Sequence, residues 1–515
     1  MKQYAQIRKN EYHDSLELLL ATSILCEKDG IGKGNIAMGN AASKALFDSL
    51  GLSNPLAEQA GIMDVIIVAE AQSEEAFTEA VEATFEQMRG KKESNPSKHF
   101  DTTQDAVRAY PDAQLCVISV PGEYAKAEAM KALEAGLHVI LFSSHISPED
   151  ELELKLFAQS RGLLVMGPDC GVVNLAGVAF LLGSVTDRGP FGLCGATGVG
   201  IQHVGALLQA AGSGASQIIG TGGGDLKQPV GGISMLMGID ALENDPATEY
   251  ILLVSRKPNE EILAKILARI KDCSKVVVAC FMGCERKVVE SSGAIYAATL
   301  DEVAVKALEL VGKKAMLQSE SELDEMAAAA VVGMKPEQKY VRGLFTGGTY
   351  CEEAMNAFTA LAGDVYSNAP LRESLRLKDS LVSCQNSCVD CGEDEFTAGK
   401  PHPTMEPSVR RPFITKEASD PEVCVLLLDF IFAVSAHMDP VGVVIEDIKQ
   451  GMAAAAADGR KLAVVASICG TDSDFQSLGE QRAKLEEAGV LVCQTNYLAA
   501  RLAGKIVALR NGGKQ

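Results

Sequence analysis

Three stretches of this sequence place glycine and threonine where an anion could be held. "FGLCGATGVGIQHV" runs an apolar strand into Gly195, Thr197, Gly198 and Gly200, and then into a helix. "VRGLFTGGTYCEEA" repeats the plan with Gly347, Gly348 and Thr349 at the turn. "IIGTGGGDL" closes a strand with Thr221, Gly222, Gly223, Gly224 and Asp225. A strand–glycine–helix turn bares backbone N–H groups at a helix N-terminus, where unpaired donors and the helix dipole favour an anion. No lysine follows the glycines, which excludes the nucleotide loop GxxxxGK[ST]. Glycine lets backbone approach a ligand closely, and Thr197, Thr221 and Thr349 can each donate from a hydroxyl.

Other chemistry-bearing residues are scattered. "LLVMGPDCG" ends a strand at Asp169 and Cys170, and Cys170 reads either as a nucleophile or as a small turn residue, with no histidine close by in sequence. "TAGKPHPTMEP" crowds Lys400, His402 and Glu406 between prolines; such a loop either presents Lys400 and His402 to a substrate or is a surface turn. His203 lies one turn into the first glycine-initiated helix, within possible reach of a ligand. Arg256, Lys257, Asp429 and Gly470–Asp474 close further strands. "CQNSCVDC" spaces Cys384, Cys388 and Cys391 like the cluster loop of radical enzymes that use S-adenosylmethionine. It comes late in the chain and has Asp390, not an aromatic, before the last cysteine, so it reads as an exposed cysteine-rich loop and no metal is expected.

The elements that must position these residues alternate strand and helix. Residues 1–95 read as a small N-terminal α/β domain, with strands near Ile36–Met38 and Asp64–Ala69 and helices over Ser15–Cys26, Ala41–Leu50 and Glu74–Met88. A polar linker, "RGKKESNPSKHFDTTQD", follows. Residues 105–188 carry "AQLCVISV", "HVILF" and "LLVMG" between helices, which implies a Rossmann-like parallel sheet. Its first strand ends "SVPGEY", so the dinucleotide fingerprint is absent. Residues 189–315 and 340–515 form two further parallel α/β domains, joined through the Ala- and Glu-rich stretch Lys313 to Lys339. In such sheets ligands bind beyond the carboxyl ends of the strands, where the glycine turns lie.

Composition excludes other classes. The 515 residues carry a formal charge of −21, so there is no basic footprint for nucleic acid. No apolar run approaches membrane-spanning length, and "MKQYAQIRKNEYHD" has no apolar signal core. The 14 cysteines sit largely in apolar strands, as reduced and buried ones do, which implies a cytoplasmic protein.

"LLVMGPDCG", "GATGVGIQ", "IIGTGGGDL", "GAIYAATLDEVAVKAL" and "GKPHPTMEP", in this order, resemble the FdrA family over nearly the whole chain. Such chains are similar to the α subunit of succinyl-CoA synthetase over residues 110 to 312, and residues 340–515 look like the ligase domain of its β subunit. The resemblance implies a CoA-binding-like Rossmann domain followed by two flavodoxin-like domains. In the synthetase two helix N-termini point at a phosphorylated histidine within G-H-A-G-A-I. Here the matching stretch is "ESSGAI", with Ser291 in place of the histidine. No ATP-grasp region is apparent. FdrA proteins have been linked to allantoin breakdown as an oxamate carbamoyltransferase subunit, so the resemblance implies a transferase interconverting oxalurate plus phosphate with oxamate plus carbamoyl phosphate. The alternatives are an acyl-CoA synthetase subunit lacking the phosphohistidine, and a non-catalytic scaffold. The implied ligands are phosphate or carbamoyl phosphate and a ureido acid, and the implied partners are other subunits of a hetero-oligomer and further copies of the chain. No resident cofactor is expected. CoA is expected to bind weakly or not at all, because no basic clamp for its 3′-phosphate is apparent: Lys126 and Lys131 lie on a helix and face solvent.

Overall fold

The computed structural model describes residues 1–512 except 10, 12, 14, 27, 40–42, 45–46, 48–49, 62, 94–98 and 398–400. The chain forms two compact units, residues 1–100 with 394–401, and residues 101–393 with 402–515.

In the first unit the strands Lys2–Arg8, Ile31–Met38 and Val65–Ala71 form an antiparallel sheet with the last of them in the middle. The helices Ser15–Cys26 and Glu74–Glu93 follow the first and third strands, giving a split βαβ pattern. The period of two is visible in the central strand "VIIVAEA". Val65, Ile67, Ala69 and Ala71 pack with Leu18, Phe77, Val81 and Phe85, whereas Ile66 and Val68 pack with Phe47 and Leu52 on the opposite face. The edge strand "KQYAQIR" escapes the sequence reading because polar residues dominate it. The helix read over Ala41–Leu50 lies partly outside the described residues.

The second unit holds three sheets. Leu115–Ile118, His138–Leu141 and Val165–Met166 pair in parallel, with the helices Gly122–Glu134 and Pro148–Ser160 between them. Ser147 caps the second of these helices, with Pro148 in its first turn.

The next sheet orders Ile295–Tyr296, Val276–Met282, Tyr250–Arg256, Phe191–Gly195 and Ala215–Gly220 in parallel. Numbered along the chain from Phe191–Gly195, this is the flavodoxin-like order 2-1-3-4-5. Its edge is extended by an antiparallel hairpin, Val172–Leu175 and Val178–Leu181. Sequence alone groups that hairpin with residues 105–188, but its hydrogen bonds run to Ala215–Gly220.

The last sheet is wholly parallel, ordered Tyr366–Ser367, Ser387–Asp390, Tyr340–Phe345, Val423–Ile431, Ala463–Cys469 and Leu491–Cys493. One apolar core joins these two sheets through the helices Gly198–Ala210, Leu300–Leu310, Gly348–Ala362 and Asn496–Arg510. The architecture is therefore α/β with several parallel sheets, and no described helix is long and apolar enough to cross a membrane.

Candidate functional site

The two glycine turns meet. Each ends the first parallel strand of its sheet and opens the helix that follows, and Thr197 Oγ1 lies 2.6 Å from Thr349 Oγ1 although 152 residues separate them. The helices are capped differently. Thr197 Oγ1 also accepts from Gly200 N, closing its own first turn. Gly347 supplies no side-chain cap to Gly348–Ala362, so the first N–H groups of that helix lack an intrahelical acceptor.

Asp429, fully buried at the end of the neighbouring strand, grips this second turn from behind. Its carboxylate accepts Thr346 N at 2.8 Å, Thr346 Oγ1 at 3.0 Å and Gly347 N at 3.1 Å. Arg410, equally buried, bonds the same carboxylate at 3.2 Å and the Asp429 carbonyl at 2.6 Å. Burial holds the Asp429 carboxyl above the usual carboxylate range, while Arg410 and the Thr346 donors oppose it.

Arg256 ends the strand beside Phe191–Gly195, at the point where strand order reverses. It reaches the second turn: its Nε is 2.7 Å from Glu352, and a Cβ added at Gly348 would be 3.4 Å from its Nη2. The same Cβ would be 2.5 Å from Asp390 Oδ2. His402 stands close by, since a Cβ at Gly392 would be 2.8 Å from His402 Nε2 and 3.1 Å from Asp390 Oδ1. His402 Nδ1 is engaged by Thr404, which leaves Nε2 toward this crevice. Burial pushes the His402 imidazole down to about 4, so it is neutral at pH 7.

Behind the turns runs a buried relay. His203 bonds Tyr350 OH at 2.5 Å through Nδ1 and Asp301 at 2.7 Å through Nε2, and Thr495 donates to the other Asp301 oxygen. Burial lowers the His203 pKa, but the bond and charge of Asp301 outweigh it, and the net shift is upward. Glu353, bonded by Asn496, is pushed by burial up to about 7. His203 thus clamps the two helices together with both ring nitrogens occupied.

Other residues read from sequence fall elsewhere. Asp225 is fully buried and spent on Lys155 at 2.9 Å and on Ser234 N and Met235 N. Lys155 also bonds Glu151 and the Thr221 carbonyl, tying the Pro148–Ser160 helix to the Gly222–Asp225 loop. Gly222, at φ +83°, abuts the 167–171 turn: a Cβ there would be 2.3 Å from the Pro168 carbonyl. A Cβ at Gly224 would meet Glu151, whereas Gly223 has open space. Thr221 Oγ1 is buried without a partner among the described residues. Asp169 adopts φ +55° in its turn. Cys170 packs into the core, and burial raises its thiol to about 12, which removes the nucleophile reading.

Close packing also accounts for the other glycines. A Cβ at Gly195 would strike the Val254 carbonyl at 2.3 Å, one at Gly200 would meet Thr197 at 2.6 Å, and one at Gly347 would meet Ile431 and Val199. A Cβ at Gly198 would meet Val172 at 3.1 Å. The Gly470–Asp474 loop braces the chain at Val185 through Thr471 and Asp474. Lys400 lies outside the described residues. Cys388 and Cys391 are buried on and just after a strand and not in an exposed loop, and no metal-binding cluster occurs among the described residues.

Sequence reasoning missed Asp390 as a site residue. Its signal was an acid at a strand end, read only as the residue before a cysteine.

Against known proteins, a CoA-ligase family model matches residues 344–506, and a model described as AllF, heavy metal-associated domain, matches residues 1–107. The uncharacterized protein YahF of Escherichia coli K12 is 40% identical over 504 residues, 97% of this chain and 98% of that protein. The chain belongs to the YahF family. A succinate–CoA ligase α subunit of Methanothermobacter thermautotrophicus is 25% identical over 146 residues, 28% of this chain and 48% of that subunit. The malate–CoA ligase α subunit of Methylorubrum extorquens is 28% identical over 222 residues, 40% of this chain and 72% of that subunit. The chain thus spans nearly all of YahF but about half of the succinate–CoA ligase subunit.

These matches correct the expectation of a carbamoyl-transferring enzyme. The family model over residues 344–506 is that of CoA ligases, and the two relatives named for an activity are acid–CoA ligases, which points to a ligase and not a transferase. The likeness to the synthetase α subunit and the CoA-ligase-like character of the last domain stand.

Proposed function

We propose that this chain is a subunit of an acyl-CoA-synthetase-like ligase that holds phosphate where the Gly198–Ala210 and Gly348–Ala362 helices begin. The observation that carries this reading is the contact of the two turns at Thr197 and Thr349, with the uncapped end of the second helix and Arg256 beside it. Two like-oriented helix ends, each carrying about half a positive charge, repel unless an anion lies close to them. Phosphate there would accept from the N–H groups of Gly348 and Thr349 and from Arg256, with its oxygen free to attack an acyl carbonyl. In that step a C–O bond to phosphate forms, the thioester C–S bond breaks, and CoA leaves as the thiolate. Preorganised donors stabilise the oxyanion that develops.

The residues about Gly122–Glu134 give the CoA 3′-phosphate no free cation. Lys126 is bonded to Asp150 at 2.5 Å and Glu153 at 2.7 Å, and Lys131 to Glu128. CoA recognition therefore draws on other contacts. Ser291 is exposed and donates to the Val288 carbonyl at 2.7 Å, so it supports no phosphohistidine-like relay. The nucleotide step is assigned to a separate partner chain, as the acyl-CoA synthetase alternative without an ATP-grasp region requires.

The test is arsenolysis. The chain, co-purified with its partner subunits, is given arsenate and succinyl-CoA or malyl-CoA, and thioester loss is followed. Arsenate-dependent loss without acid-labile phosphohistidine is expected. No arsenolysis of any acyl-CoA by a folded, assembled enzyme, or label from ATP on a histidine, would overturn the reading.

A further inference from the structure

We propose that Asp390 is the proton-carrying group of the anion site, so that an anion binds at the start of the Gly348–Ala362 helix together with one proton on that carboxyl. The inference rests on the phosphate reading above. Three placements carry it. Asp390 is buried at the carboxyl end of the strand paired with Tyr340–Phe345, in register with Phe345, two residues before Gly347. Its Oδ2 stands against Gly348, the first residue of the helix that has no side-chain cap. Its Oδ1 accepts Gly392 N at 2.9 Å, which fixes the carboxyl in place.

An ionised carboxylate held there would repel an anion at the start of the helix. A protonated one offers an O–H donor to the anion and removes the repulsion. Phosphate and a carboxylate thus exclude each other at this turn, whereas phosphate and a carboxylic acid fit together.

The surrounding charges agree. Burial pushes the Asp390 carboxyl up to about 7, Gly392 N–H opposes this, Glu393 and Asp429 add to it, and Arg256 opposes it. Arg256 is shared with Glu352. His402, beside Asp390, is neutral above about 4 and adds no charge, and the Cys351 thiol, raised well above its ordinary value by its bond to Cys388, by burial and by the Asp390 charge, adds none either. The sign follows. Below pH 7 the carboxyl is protonated and the site accepts an anion; above it the carboxylate must take up a proton before the anion enters.

Sulfate is the probe, because it stays a dianion throughout and brings no titration of its own. Calorimetry on the full-length chain should show sulfate affinity falling about tenfold per pH unit from about pH 7 upward, with uptake of close to one proton per sulfate by comparison of buffers of different ionisation enthalpy. Asp390→Asn, which keeps the shape without the charge, should bind sulfate about as tightly at pH 8.5 as the native chain does at pH 6 and take up no proton. Sulfate binding whose pH slope and proton uptake survive in Asp390→Asn would overturn the role of Asp390 and leave the phosphate reading standing. No sulfate or phosphate binding by either protein at any pH would overturn both.

Discussion

Replacing Asp429 with alanine is expected to lower stability by about 3–5 kcal/mol and to abolish activity. The carboxylate is the common acceptor for Thr346 N, Thr346 Oγ1, Gly347 N and Arg410. Arg410 is buried and already has one guanidinium nitrogen, Nε, without a partner among the described residues. Removing the carboxylate leaves its charge in the core with only carbonyl oxygens to face. It also releases the turn that starts the Gly348–Ala362 helix, so phosphate loses its donors even in molecules that stay folded. The melting midpoint should fall by roughly 4–6 °C. Asp429→Asn keeps one acceptor and should fall between the two. A midpoint within a degree or two of native in Asp429→Ala would show that the turn holds itself.

The second large effect is expected at Lys155. Lys155→Met leaves Glu151 and Asp225 buried beside each other without their cation, a loss of about 3–5 kcal/mol. The helix Pro148–Ser160 and the Gly222–Asp225 loop then lose their tie, and limited proteolysis should cut between them first. Lys155→Met combined with Glu151→Gln should recover part of the loss, because one of the two uncompensated charges is gone. Equal melting of Lys155→Met and the native chain would mean that packing alone joins these elements.

How much of this was legible in the sequence depends on distance along the chain. The strand–glycine–helix turns are local patterns, so Gly195–Gly200 and Gly347–Thr349 could be read directly, and their helices begin at Gly198 and Gly348. The parallel sheets were readable because runs such as "VCVLLLDFI" are apolar on both faces. The partners were not. Asp390 and Arg256 reach Gly348 from strands whose adjacency only the folded sheets decide, and Tyr350 finds His203 across 147 residues. The hairpin at Val172–Leu181 reads as strand from its own residues, but its sheet is set by the edge left open at Ala215–Gly220. The direction of Gly198 was equally hidden, since a glycine carries no side chain to reveal which way its Cα points. The Cys384–Cys391 stretch reads as an exposed loop, yet Cys388 and Cys391 are buried on and just after a strand, and burial decides between the two readings of Cys170.

A crystal structure of the chain grown with phosphate tests the central claim most directly. The account predicts one phosphate at the start of the Gly348–Ala362 helix, with oxygens within about 3 Å of the Gly348 and Thr349 N–H groups and of the Arg256 guanidinium. Phosphate bound elsewhere, for example at Gly222–Gly224, with the Thr197–Thr349 turns left without it at saturating concentration, would contradict it.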